Sequence, residues 1–121
     1  MTKGYFFEEV DGVLTFTIDR PERRNAINDD VMEGFREVID YVHTHDTVRF
    51  LVITGTGDRA FCSGGDLSEF HTLTTAEQAS SMLSKMAELL YEWATLPVPT
   101  IALINGTAVG GCCEIATACD F

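Results

Sequence analysis

Residues 105–114 read NGTAVGGCCE and follow the short apolar run TIALI at 100–104. An apolar, partly β-branched run of that length reads as a buried strand. The glycines after it deliver bare backbone to the mouth of a sheet, where no side chain separates a ligand from a backbone N–H. A short helix over 112–118 comes next, so the loop runs into a helix N-terminus whose partial positive charge favours negative charge nearby. The stretch has a counterpart at 60–67, AFCSGGDL, inside a glycine-rich segment, 55–66, that reads as loop throughout. That segment also follows an apolar run, FLVIT at 50–54, which reads as a strand covered on both faces, as in a parallel sheet. Two backbone N–H groups converging from separate loops form an oxyanion hole, which stabilises the charge that develops on a carbonyl oxygen.

Outward from these loops the chain alternates strands and helices. Leu14, Phe16 and Ile18 keep the two-residue period of a strand over 12–18. Residues 5–10 pair with it through a tight turn at Asp11-Gly12. Residues 19–27 form a polar loop around Pro21. Asn28 caps a helix with Asp29 and Asp30 in its first turn and an apolar face of Val31, Phe35, Val38, Ile39 and Val42. Thr74 and Glu77 have capping-box spacing and open a second helix, which runs to about Trp93 with Leu83, Met86, Leu90 and Trp93 on one face. Pro97 and Pro99 end it. The order is α/β, and no linker or repeat divides it, so residues 1–121 read as a single domain. The last helix ends at Asp120-Phe121 with nothing after it to hold it, as though the next strand were cut away.

Composition excludes several classes of function. The chain has 121 residues, is 45% hydrophobic and 22% charged, and carries a net charge of −11. Only 8 Lys and Arg stand against 19 acidic residues, which argues against nucleic acid as a partner. Arg20, Arg23 and Arg24 form the one obvious basic cluster for an anionic ligand. Residues 1–5 show no leader pattern, and no apolar run reaches the roughly 18 residues of a membrane span, so a cytoplasmic location without membrane contact is the default. Cys62, Cys112, Cys113 and Cys119 form no CxxC pair and have no His at ligand spacing, which leaves no metal site to expect; they read as reduced, mostly buried thiols. His43, His45 and His71 take no catalytic role. Residues 55–60, GTGDRA, satisfy the dinucleotide-binding pattern, but that motif must open a helix, and Ser63-Gly64-Gly65 would interrupt its first turns at about 1 kcal/mol per glycine.

Three segments taken in order, RPERRNAIN at 20–28, AFCSGGDL at 60–67, and NGTAVGGCCE at 105–114 followed by Cys119-Asp120, resemble the hallmark segments of the crotonase (enoyl-CoA hydratase/isomerase) family. The resemblance spans essentially the whole chain and corresponds to the N-terminal half of such a protein. It implies a crotonase-like (ClpP/crotonase) α/β core of repeated ββα units, truncated before the C-terminal helices that complete the fold and build homotrimers or hexamers. It also implies an acyl-CoA substrate, with coenzyme A entering as the substrate thioester and no separate cofactor.

Residue by residue, the resemblance places the two oxyanion donors at the backbone N–H groups of Gly65 and Gly111. Arg23, Arg24 and Ala26 would lie along the CoA portion, with Ser63, Asp66 and Leu67 beside its pantetheine and adenine end. Glu114 matches the first of the two catalytic glutamates of the hydratases. Its spacing supports a site independently: three residues after Gly111 is about one helical turn, which returns the carboxylate to the donor end of the helix. A carboxylate there also serves as a purely structural partner for the helix N-terminus. The implied reaction is syn hydration of a 2-enoyl-CoA. The alternatives are another reaction of the family, such as isomerisation, decarboxylation or hydrolysis, or acyl-CoA binding without catalysis. Two departures stand out. The second glutamate of the hydratases falls beyond Phe121, and Cys112 replaces the third glycine of the family's second run, adding a side chain beside Gly111.

Overall fold

A computed structural model describes residues 3–66 and 73–121. Strands β1 (Tyr5–Val10) and β2 (Val13–Ile18) form an antiparallel hairpin running from Tyr5↔Ile18 to Val10↔Val13. Asp11 and Gly12 both adopt positive φ, 52° and 86°, as a two-residue turn needs if its twist is to match the strands. Leu14, Phe16 and Ile18 point into the core.

A short 3₁₀ turn (Pro21–Arg23) leads to α1 (Asp29–Thr44). The Asn28 side chain accepts the Val31 N–H at 2.9 Å, and the five apolar residues named for this face are all buried. Strand β3 (Phe50–Gly55) runs parallel to β2, and β5 (Thr100–Ala102) runs parallel to β3, giving a sheet ordered β1-β2-β3-β5. Helix α2 (Ala76–Ala94) packs against α1. A chain of ring contacts joins β1, β2 and both helices: Tyr5–Phe16 at 5.5 Å, Phe16–Phe35 at 5.1 Å and Phe35–Trp93 at 5.8 Å.

Between β3 and α2 lies β4 (Ala60–Cys62), and after β5 comes β6 (Thr107–Ala108), which pairs with β4 in a second, parallel sheet. The chain closes with α3 (Gly111–Ala118). Ile27 bridges Gly65 in parallel, so each of three turns sends one segment to the first sheet and one toward the second before its helix. This is the repeat of ββα units that the resemblance implied.

Several expectations change. Residues 55–66 contain β4, whose three residues among glycines are too few to show a period. Strand β3 is fully covered on one face and partly on the other: Leu51 and Ile53 are fully buried, whereas Val52 and Thr54 are half-buried and Phe50 is 42% exposed. Strand β5 stops at Ala102, leaving Leu103 and Ile104 exposed. The cap of α2 is Thr75 rather than Thr74, in a capping box with Gln78, and Leu83 lies off the core face while Leu89 lies on it. Residues 120–121 are held by β5. Thr100 N–H donates to Asp120 Oδ2 at 2.9 Å, and Ala102 N–H donates to Phe121 O at 2.9 Å. Finally, Cys62 and Cys112 face each other with Cα atoms 5.5 Å apart, a separation that a disulfide can span, and Cys113 is exposed rather than buried.

Candidate active site

The loops after β4 and β6 meet beside α3. Val109 N–H donates to Cys62 O at 3.2 Å, and Gly64 N–H donates to Cys112 Sγ at 3.2 Å. Gly64 sits at φ 99°, and a Cβ there would lie 3.3 Å from Val109 O, so a side chain at this position would be strained and would push the loops apart.

Two polar residues hold the first loop from below, and neither is identifiable from sequence periodicity. Asn25 is 1% exposed and adopts φ 57°. Its Oδ1 accepts Arg20 N–H at 2.9 Å, and its Nδ2 donates to Thr56 O at 3.0 Å and Ala60 O at 2.8 Å. The Arg20 guanidinium turns inward, donating to Ala26 O at 2.7 Å and to Asp66 Oδ2 at 2.9 Å. Asp66 is 6% exposed and its N–H donates to Ile27 O at 2.9 Å. Arg20 therefore leaves the surface cluster read from the sequence and becomes an internal brace, with Asp66 as its partner.

Above this brace a cavity of about 190 Å³ brings together Gly65, Gly111 and Glu114. Its remaining walls come from Ile27, Asp29 and Met32 on the first turn of the fold and from Met82, Leu83 and Met86 on α2, so most of the lining is apolar. Among the described residues, the N–H groups of Gly65 and Gly111 have no acceptor, whereas the neighbouring N–H groups of Gly64, Asp66 and Cys112 are each committed. At Gly111 the reason is positional: it is the first residue of α3, where no carbonyl precedes it to receive the bond. Glu114 is exposed in the first turn of the same helix.

The remaining residues expected at the CoA end lie on the flanks. Arg23 and Arg24 are exposed, and Ala26 is buried with its carbonyl on Arg20. Ser63 Oγ donates to Arg23 O at 3.3 Å, joining the two loops. Arg24 lines a separate cavity of about 280 Å³ together with Asn25 and residues 56–60. Leu67 and His71 lie outside the described residues. Among the described residues no group of His, Cys, Asp and Glu is placed to hold a metal ion, and no helix is long and apolar enough to cross a membrane. The wall methionines were legible only in part: Met86 read as a core residue, and Met82 carried no signal.

Comparison with known proteins agrees with this architecture. The sequence model of the enoyl-CoA hydratase/isomerase family matches residues 8–121. The chain is 32% identical over 121 residues to a crotonyl-CoA hydratase from Syntrophomonas wolfei, covering 98% of this chain and 45% of that protein. It is 34% identical over 113 residues to a short-chain-enoyl-CoA hydratase from Clostridium acetobutylicum, covering 89% and 41% respectively. The crystal structure of an enoyl-CoA hydratase/carnithine racemase from Magnetospirillum magneticum superposes with a TM-score of 0.92 at 32% identity, over 100% of this chain and 46% of that one. The chain thus spans a little under half the length of these relatives.

Proposed function

Because the chain belongs to the enoyl-CoA hydratase/isomerase (crotonase) family, we propose that the cavity at Gly65, Gly111 and Glu114 takes the acyl thioester of a coenzyme A ester, and that the reaction is hydration of a 2-enoyl-CoA. One observation carries this reading: two uncommitted backbone N–H groups, on separate loops, flank a cavity that also holds a carboxylate. In the proposal both N–H groups donate to the thioester oxygen. When water adds to the β-carbon, the electron pair of the double bond moves toward that oxygen as an enolate, and the α-carbon then takes a proton from a second acid, the glutamate that in the hydratases falls beyond Phe121. Fixed donors aimed at such an oxygen contribute strongly; losing one typically costs roughly 2.7–4 kcal/mol of barrier. Glu114 takes the proton of the attacking water, a step that positioned carboxylates accelerate by about 10²–10⁴-fold. The apolar wall of Ile27, Met32, Met82 and Met86 suits the acyl chain.

The CoA portion runs past Arg23, Arg24, Ala26, Ser63 and Leu67. Asp66 contributes by shaping the loop, since its carboxylate is held by Arg20. No separate cofactor takes part. A cytoplasmic homotrimer or hexamer belongs to the same proposal. Isomerases, decarboxylases and hydrolases of the family share the enolate, so the identity of the product distinguishes the reactions. Glu114→Gln tests the assignment. It should leave acyl-CoA binding within about twofold and lower kcat by roughly 10²-fold or more. Equal losses in binding and turnover would remove Glu114 from the chemistry.

A further inference from the structure

The donor loops share one feature that the proposed reaction leaves unused. Cys62 ends β4, three residues before Gly65, and Cys112 directly follows Gly111. Both are fully buried, and their Cα atoms are 5.5 Å apart, within the range that a disulfide spans. The other hydrogen bonds between these loops lie before Cys62 and Gly111: Asn105 Nδ2 donates to Gly57 O at 2.7 Å and to Ala60 O at 3.3 Å, Asn105 Oδ1 accepts Gly55 N–H at 3.1 Å, and Thr107 N–H donates to Arg59 O at 3.3 Å. Strand β4 has three residues and β6 two, their register shifts between Ala60 and Cys62, and one bond, Val109 N–H to Cys62 O, continues the pairing. The Gly64 N–H bond to Cys112 Sγ links this pair to the peptide next to Gly65.

We propose that Cys62 and Cys112 are positioning residues for the backbone donors at Gly65 and Gly111: a disulfide between them sets the spacing of the two donor loops, and reducing it loosens the site. The inference rests on the oxyanion reading of those two glycines. Two unbonded thiols need more room than two bonded sulfurs, and in a close-packed interior that room comes from shifting a loop. An oxyanion donor works at about 2.7–3.1 Å from its oxygen, so small shifts weaken it.

Hydrogen peroxide is a sufficient oxidant. The Cys112 sulfur, as its thiolate, attacks one peroxide oxygen. The O–O bond breaks, giving a sulfenic acid and hydroxide. The Cys62 sulfur then attacks the sulfenic sulfur; the S–S bond forms, the sulfenic oxygen takes the Cys62 thiol proton and leaves as water, and the proton that Cys112 gave up on ionising neutralises the hydroxide. Two thiols are oxidised and one peroxide is reduced to two waters. Dithiothreitol reverses the bond by two exchange steps and is itself oxidised to its cyclic disulfide.

The test uses the longest native polypeptide carrying this chain, after peroxide and after dithiothreitol. Alkylation and peptide mapping should find a peptide joining Cys62 to Cys112 only in the oxidised protein. A conjugated aryl-enoyl-CoA, whose absorption moves to the red as its carbonyl is polarised, should shift further on the oxidised protein. With crotonyl-CoA, kcat should be at least about tenfold higher in the oxidised form and KM within about twofold. In Cys62→Ala both redox forms should give the smaller shift. If no joined peptide forms, or if shift and kcat are equal in both forms of the native protein, the cysteine proposal is overturned while the donors stand. If the probe binds with no shift in either form, the oxyanion reading fails and the proposal falls with it.

Discussion

Asn25 links the loop before α1 to the loop between β3 and β4, using a buried amide and a left-handed backbone. Asn25→Ala would leave the Thr56 and Ala60 carbonyls and the Arg20 N–H without this partner, and would put at φ 57° a residue without the polar side chain that helps Asn adopt the left-handed region. Unpaired buried groups cost about 1–3 kcal/mol each, with partial relief from water, so the unfolding free energy should fall by about 2–4 kcal/mol. Urea unfolding checks this, and a loss under about 0.5 kcal/mol would show that the clamp is dispensable. Asn25 sat within a quoted motif, yet nothing local marked it as a clamp, because its partners lie 31 and 35 positions away. Asp66 is similar: its Arg20 partner is 46 positions earlier, so the internal ion pair that the fold makes had no local signal in the sequence. The glycines and Glu114 were legible because their chemistry is local, a bare backbone and a carboxylate one turn apart.

Among the elements, α1 was read correctly from its period and its Asn28 cap, since both signals lie within one turn of the residues they govern. The start of α2 was ambiguous by one residue: Thr74 with Glu77 and Thr75 with Gln78 share the capping spacing, and backbone geometry selects the second. Strands β4 and β6 were invisible because their partners are remote and their lengths too short for alternation. The contact between β1 and α1 carries its own prediction. Tyr5 Oη donates to Glu37 Oε1 at 2.7 Å, and burial first, then Glu37, pushes the Tyr5 pKa up to about 12. Between about pH 10, where a free tyrosine ionises, and pH 12, the folded chain keeps a proton that the unfolded chain has lost. Stability from this group is therefore complete below pH 10 and declines as pH rises through 12. Urea midpoints measured across that range should fall less steeply in Tyr5→Phe than in the native protein; identical slopes would remove Tyr5 as the source.

For the whole molecule, three ordered motifs placed the chain in its family, and three ββα turns carry those motifs to one cavity. The net charge of −11 does not oppose an anionic substrate there, because the proposed contacts with the thioester oxygen are backbone N–H groups, whose effect is local. The β3 face at Phe50 and the exposed pair Leu103 and Ile104 could not be foreseen, since an apolar run gives no sign of which of its faces this stretch of chain covers. The most direct test of the central claim is proton NMR of crotonyl-CoA in heavy water with the longest native polypeptide carrying this chain. Hydration through an oxygen-stabilised enolate predicts 3-hydroxybutyryl-CoA with deuterium at the α-carbon. An unchanged crotonyl spectrum, with thioester signals that broaden on binding, would contradict hydration and leave a site that binds the acyl-CoA without converting it.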